Sequence, residues 1–312
     1  MRARRGVALF AALWLVVALA VVALQFSLEA RDRRLTASNT LEIADARAVA
    51  TAGIEHGLAR LERARRQPSL TGGSSAASMR AADPWLDPET FFAIDDTLGG
   101  GRYIVEVHDV GATLNINSAT EQEIRALLIA LDFDGLTADD VSRCIMDWRD
   151  TNILPRSRGA ERDQYLDDDR LVLPRDAPFQ TVPELLHVMN VTQEVYDSIA
   201  PFLRVDGAAQ INVNSAPDAV LQTLPGMSRG AAETVVRIRQ QGRRITSMNE
   251  LRQLTGIANI NNNRVTFMTT EVRVTSTGWN QGRHTAVRID ALVQGSGTGN
   301  SATARVISRR SL

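Results

Sequence analysis

Cysteine is nearly missing from this 312-residue chain: Cys144 stands alone, so no internal disulfide can form. It lies in the run Val141-Ser142-Arg143-Cys144-Ile145-Met146, where a small buried hydrophobe fits better than a nucleophile. Histidine is scarce as well, and His56, His108, His187 and His284 show no ligand-like spacing. No Ser/His/Asp arrangement, phosphate loop or metalloprotease motif occurs, which leaves nothing on which to base an enzyme. Charge of one sign is also lacking: the net charge of −1 singles out no polyanion or polycation as partner. Proline is absent before Pro68, so nothing in the first stretch of the chain interrupts a helix.

What that first stretch contains is distinctive. Arg2, Arg4 and Arg5 lead to Gly6, and Val7–Phe26 is apolar except for Gln25. Twenty helical residues span roughly 30 Å, the thickness of a bilayer's hydrocarbon core. Arginines crowded at one end hold that end in the cytoplasm and place the bulk of the chain across the membrane. Ile43, Ala50, Ile54, Leu58 and Leu61 then recur at helical spacing and predict one buried stripe on a continuing helix.

Two ordinary readings of this start are a cleaved secretory signal, with Ala18-Leu19-Ala20 as its site, and a plain single-pass anchor. A third rests on the Arg-Arg-Gly junction set directly against the apolar run. That junction resembles the class III signal of type IV pilins and type II secretion pseudopilins. The resemblance implies cleavage after Gly6 by prepilin peptidase and methylation of the new terminus, Val7. Most such proteins carry glutamate five residues after the cut, whereas this chain has Ala11. The K subunit of type II secretion characteristically lacks that glutamate.

Behind the helix, QPSLTGGSSAASMRAADP reads as a linker or variable loop. Strand-like segments follow at 91–94 (FFAI) and 102–110 (RYIVEVHDV), joined across Gly99-Gly100-Gly101. Three more lie near the far end, in TTEVRVTST, RHTAVRIDALV and ATARVIS, separated by turns at Gly278–Gly282 and Gly295–Gly299. Strands thus flank a helical middle. The expected fold class is α+β: a long N-terminal helix on an antiparallel sheet built from both ends of the chain, with a large helical domain inserted. The expected boundaries are a leader over 1–6, a transmembrane segment over 7–26 and the rest of the long helix over 27–66. The sheet and its loop occupy 67–111 and 269–312, and the insertion 112–268.

The insertion contains a repeat. LNINSATEQEIRALL begins at Leu114 and INVNSAPDAVLQTL at Ile211, with Asn-x-Asn-Ser-Ala cores at Asn115 and Asn212. Each core precedes an apolar helical pattern, a short turn (Phe133–Thr137 or Leu224–Ser228) and a closing tag with Glu184-Leu185 or Glu250-Leu251. The asparagines are expected to cap the helices that follow them. The second copy resembles a helix-hairpin-helix module, whose Gly-hydrophobic-Gly turn binds DNA phosphate in many proteins. Here the turn is Gly226-Met227-Ser228, and Arg229, Arg237, Arg239, Arg243, Arg244 and Arg252 face Asp218, Glu233 and Glu250, a modest basic surplus. A helix-hairpin-helix DNA-binding membrane protein of a competence or pilus system is therefore the alternative function, with DNA the less favoured partner.

The first copy is longer, with extra residues between roughly 151 and 178. They follow Asp147-Trp148-Arg149-Asp150-Thr151-Asn152 and include Gly159-Ala160-Glu161-Arg162-Asp163-Gln164-Tyr165. Hard cations draw six to eight oxygens from such flexible loops, and Asp147, Asp150, Asn152, Glu161 and Asp163 form the candidate metal set. Leu154 and Pro155 spoil an EF-hand, and Arg156, Arg158 and Arg162 oppose a metal unless they point to solvent. A salt-bridged surface loop is the competing reading.

These segments also resemble, in order, motifs of the type II secretion K pseudopilins: Asp147-Trp148, Asp150, Asn152, Gly159-Ala160-Glu161, Asp163, Tyr165, Asp176-Ala177-Pro178-Phe179, Glu184-Leu185 and Asn212-Val213-Asn214-Ser215-Ala216. The resemblance implies a minor pseudopilin that caps a periplasmic fibre with the I and J subunits and supports secretion across the outer membrane. It implies single-pass residence in the inner membrane with the bulk in the periplasm, and bound calcium in the inserted domain. The tail beyond Gly295 carries no motif of that family.

Overall fold

The computed structural model describes residues 3–66, 85, 93–257, 260–282, 284–296 and 303–311. Helix α1 runs unbroken over Ala3–Arg66. Its membrane-length part is the one helix among the described residues apolar and long enough to cross a bilayer, with a mean hydropathy of 2.1 and none of that window buried.

The other end of α1 packs on a sheet of order β1-β2-β7-β8-β9. The strands are β1 (Ile94–Leu98), β2 (Gly101–Asp109), β7 (Glu271–Trp279), β8 (Ala286–Ser296) and β9 (Thr303–Ser311), and every neighbouring pair is antiparallel. The first strand is therefore Ile-Asp-Asp-Thr-Leu rather than the expected 91–94 segment, of which Phe91 and Phe92 lie outside the described residues. The hairpin turn fixes this register. Gly99 and Gly100 have φ of 58° and 87°, a pair of values that closes a two-residue turn between Leu98 and Gly101.

The buried stripe of α1 begins at Ala46 and continues through Val49, Ala50, Ile54 and Leu61, against Val105, Val272, Val274 and Ile289. Ile43, placed in this stripe by its spacing, is instead 45% exposed. The contact is close because small residues face each other. A β-carbon at Gly278 would stand 2.3 Å from the Ala50 amide nitrogen, and one at Gly53 would stand 2.2 Å from Ser276 Oγ.

Between β2 and β7 lies the insertion, with its own hydrophobic core running from Leu114 to Val265. The first copy contains β3 (Leu114–Asn115), α2 (Glu121–Ala130), α3 (Gly135–Arg149), α4 (Arg162–Asp167), α5 (Gln193–Ile199) and β4 (Leu203–Arg204). The second contains β5 (Ile211–Asn212), α6 (Asp218–Leu221), α7 (Arg229–Gln240), α8 (Met248–Thr255) and β6 (Val265–Thr266). Each copy closes on itself through a short parallel pair, β3 with β4 and β5 with β6. In each hairpin the left-handed residue, Asp132 (φ 65°) or Gly226 (φ 84°), falls two positions before the helix cap, Asp134 or Ser228.

Candidate functional site

The repeated asparagines do not cap helices. Thr120 caps α2 in a capping box with Glu123, and Pro217 occupies the cap position of α6. The second asparagine of each core is instead a three-bond clamp. Asn117 Nδ2 donates to the carbonyls of Phe179 (2.9 Å) and Val205 (2.8 Å), and its Oδ1 accepts from the Phe179 amide (2.8 Å). Asn214 repeats this on Ile245 (2.8 Å) and Phe267 (2.9 Å), with the Ile245 amide donating at 2.9 Å. The closing tags match as well: Glu184 accepts from the Gln180 amide, Glu250 from the Thr246 amide, and Leu185 and Leu251 are fully buried.

The first asparagine of each core ties its copy to a different neighbour. Asn115 reaches the Gly207 carbonyl at 2.9 Å, at the link between copies. Asn212 donates at 2.7 Å to Asp109 Oδ2 at the end of β2, where Ser215 Oγ (2.5 Å) and Thr269 Oγ1 (3.2 Å) also converge. Burial pushes the Asp109 carboxyl up, against the pull of these donors. The two copies are then locked face to face. Arg264 donates twice to the buried Glu123, both at 2.8 Å, and Arg229 pairs with Asp132 at 2.8 Å.

Several of the arginines that would meet DNA already have partners within the chain. Arg239 donates to the carbonyls of Ala216 and Ser215, Arg243 pairs with Glu250, and Arg229 spans to the other copy.

The extra loop gathers most of the residues singled out for a metal. Asp147, on the last turn of α3, has a side chain with no exposure. Its Oδ2 accepts from the Arg156 amide at 3.0 Å and its Oδ1 from Arg156 Nη1 at 2.5 Å. The same Nη1 stands 2.5 Å from Asp150 Oδ2. Asn152 folds back to donate to Asp150 Oδ1 at 2.6 Å. Glu161, at the start of α4, is 4% exposed, and its Oε1 has no hydrogen-bond partner. Burial, then the charges of Asp147, Asp150 and Asp176, push its carboxyl up to about 7. Asp163 stands apart, exposed on the first turn of α4. Gly159 lies flat against the cluster, since a β-carbon there would stand 2.0 Å from Asp147 Oδ2.

Arg156 thus points into the cluster rather than to solvent, while Arg158 pairs outward with Asp140 at 2.6 Å. The charge of Asp176, from the Asp-Ala-Pro-Phe motif and in a left-handed conformation with φ 51°, also acts on Glu161. No local spacing signals Asp176, because it lies 26 residues beyond Asp150 in the chain. With Arg156 between the carboxylates, no three of the described Asp, Glu, His or Cys side chains stand close enough together to hold a metal ion as they are. Behind the cluster, Trp148 packs on Tyr165 (5.7 Å) and stacks on Phe179 (6.4 Å), and the Tyr165 hydroxyl accepts from the Met189 amide. Burial pushes the Cys144 thiol up to about 11, which suits the buried hydrophobe expected of it.

A helix running from a membrane-length apolar segment onto an antiparallel sheet, with a two-copy helical domain inserted between two of its strands, defines an α+β helix-on-sheet chain with a bulky insertion. Comparison with known proteins makes the class specific. Residues 105–206 match the family of type II secretion system (T2SS) protein K, and residues 206–261 match the helix-hairpin-helix motif. The fold is similar to that of a chain in the crystal structure of the GspK-GspI-GspJ complex from the enterotoxigenic Escherichia coli type 2 secretion system. The TM-score is 0.65 at 13% identity, over 89% of this chain and 99% of that one. No curated protein matches the chain. Residues 105–206 thus carry the domain of type II secretion system protein K, within a fold similar to that of the solved complex.

Proposed function

We propose that this protein caps the tip of a periplasmic pseudopilus together with I- and J-type subunits and so supports secretion across the outer membrane. The observation that carries the reading is the protein K domain set into a pilin-type body beside an apolar helix without the usual glutamate. In a pseudopilus, that glutamate neutralises the terminal amine of a neighbouring subunit inside an apolar helix bundle, where an unpaired charge is costly. Ala11 offers no such charge, and the inserted domain is large enough to obstruct a further subunit.

The chain would be a single-pass inner-membrane protein with its bulk in the periplasm, cut after Gly6 by prepilin peptidase and methylated on Val7. Intact mass and N-terminal sequencing of membrane-extracted protein test this. Val7 plus one methyl group is expected, whereas an uncut Met1 or a cut at Ala20 refutes the processing. Regular labelling of purified fibres along their length, instead of at one end, would refute the tip position.

The loop cluster would hold calcium. Its donors fit a hard cation in kind and in charge: Asp147, Asp150, Glu161 and Asp176 are four carboxylates against Arg156 and the nearby Arg149, and one buried Glu161 oxygen lacks any partner. A bound ion would supply the missing positive charge and join the two ends of the loop. It would stabilise the fold because it binds the folded state alone.

A further inference from the structure

The cluster already contains a cation, and its placement points to a second role for the loop. Arg156 Nη1 takes one oxygen from each of Asp147 and Asp150, the two carboxylates at the end of α3. The backbone amide of Arg156 takes the remaining Asp147 oxygen, so this residue alone satisfies both lone oxygens of a fully buried side chain. Glu161 gains no bond from it. Its Oε1 stays without a partner although the residue is more than nine-tenths buried and faces the charges of Asp147, Asp150 and Asp176. One guanidinium therefore leaves the cluster incompletely neutralised.

Arg156 also has somewhere else to go. Its Nε lies 4.0 Å from Glu121 Oε2, a carboxylate outside the cluster that pairs with Arg143 at 3.1 Å. A small outward swing would exchange Asp147 and Asp150 for Glu121 without leaving the guanidinium unpaired. The oxygens of Asp147, Asp150 and Glu161 would then be free for a divalent ion, which carries twice the charge in a fraction of the volume.

We propose that Arg156 is an internal counter-cation that locks the loop when no metal is bound and is displaced when calcium binds. The loop then has two alternative locks, and calcium affinity is set by competition with a side chain of the same chain. This rests on the calcium reading above, and it assigns to Arg156 a role that reading does not contain. Competition has a definite signature, since any contact that holds the metal-free state must lower apparent affinity. Removing the arginine weakens the metal-free protein and tightens calcium binding at once.

The test is calcium titration by calorimetry and thermal unfolding, in chelator and in millimolar calcium, on the detergent-solubilised full chain and its Arg156→Gln variant. The expected result is a lower midpoint for the variant in chelator, recovery in calcium, and calcium affinity about tenfold or more above the parent's. Equal affinity in both proteins, with both responding to calcium, overturns the counter-cation and leaves the calcium site standing. No response in either overturns both. Should Arg156→Gln fail to fold in chelator, Arg156→Lys, which keeps a charge on a shorter side chain, takes its place, and tighter calcium binding than the parent is again required. Glu161→Gln separates the two locks: it must weaken calcium binding without lowering the midpoint in chelator, and a lowered midpoint there counts against the scheme.

Discussion

Replacing Asn214 by alanine tests whether the repeat is held by its side-chain clamps. The substitution removes three hydrogen bonds of 2.8–2.9 Å, two to Ile245 and one to Phe267. A typical intramolecular bond contributes about 1 kcal/mol net, and a buried group left without a partner costs about 1–3 kcal/mol. Asn214 is 6% exposed and Ile245 fully buried, so water cannot readily take the amide's place at Ile245. The loss should therefore be about 3–5 kcal/mol, far above the usual effect of a polar-to-alanine change at a surface. Asn214→Asp keeps an acceptor for the Ile245 amide but turns an oxygen toward two carbonyls, and should be no less damaging. Amide exchange at Ile245, measured on the full chain in detergent, reads the effect locally. The expected change is faster exchange there and a lower unfolding midpoint. A loss under about 1 kcal/mol with Ile245 still protected would refute the clamp. Asn117→Ala should reproduce the effect at Phe179; tolerance of one and not the other would refute the equivalence of the copies.

Three further outcomes follow from the geometry. Gly278→Ala places a methyl group 2.3 Å from the Ala50 amide nitrogen, and should lower the thermal midpoint by an amount equivalent to about 1–3 kcal/mol of overpacking; an unchanged midpoint would show that α1 does not ride this close to the sheet. Burial raises the Asp109 carboxyl above its ordinary 3.8, so the folded state holds its proton longer than the unfolded state. Its contribution to stability should fall as pH rises from 3.8 through the raised folded value and be constant on either side; denaturation midpoints of the parent and Asp109→Asn that run parallel across that window would refute this. Duplex DNA binding should be weak and lost at moderate salt, because Arg229, Arg239 and Arg243 are engaged internally. Retention at physiological salt that Arg243→Ala abolishes would favour a DNA receptor instead.

The parts of this fold legible in the sequence are those governed by local pattern. The unbroken α1 follows from the missing proline, and the strand content follows from β-branched alternation. The repeat shows itself because Asn-x-Asn-Ser-Ala recurs. Its physics did not, since the partners of Asn117 lie 62 and 88 residues along the chain and nothing beside the asparagine names them. An asparagine just before a helix reads locally as a cap, and only the three-dimensional arrangement reassigns it. The close seat of α1 is similar: Gly53 and Gly57 look like breaks in an apolar stripe until the facing strands supply Ser276 and Val274. The loop shows the same limit in reverse. Asp147, Asp150 and Glu161 are visible in the sequence, whereas Asp176 and the direction of Arg156 are not, because a distant carboxylate and a long side chain in a loop leave no periodic trace.

Asp109 and Val272 are register partners on adjacent antiparallel strands. Topologically, the whole double-hairpin domain is thus the connection of a β-hairpin, entering and leaving the sheet at one point. A flexible connection of that length would carry a large closure entropy, but a domain that brings its own ends together has already met it. Asp109 makes the junction exact from both sides, bonding to Asn212 and Ser215 of the insertion and to Thr269 just before β7. A lineage could therefore acquire or lose such a passenger at this turn while leaving the helix-on-sheet frame unchanged.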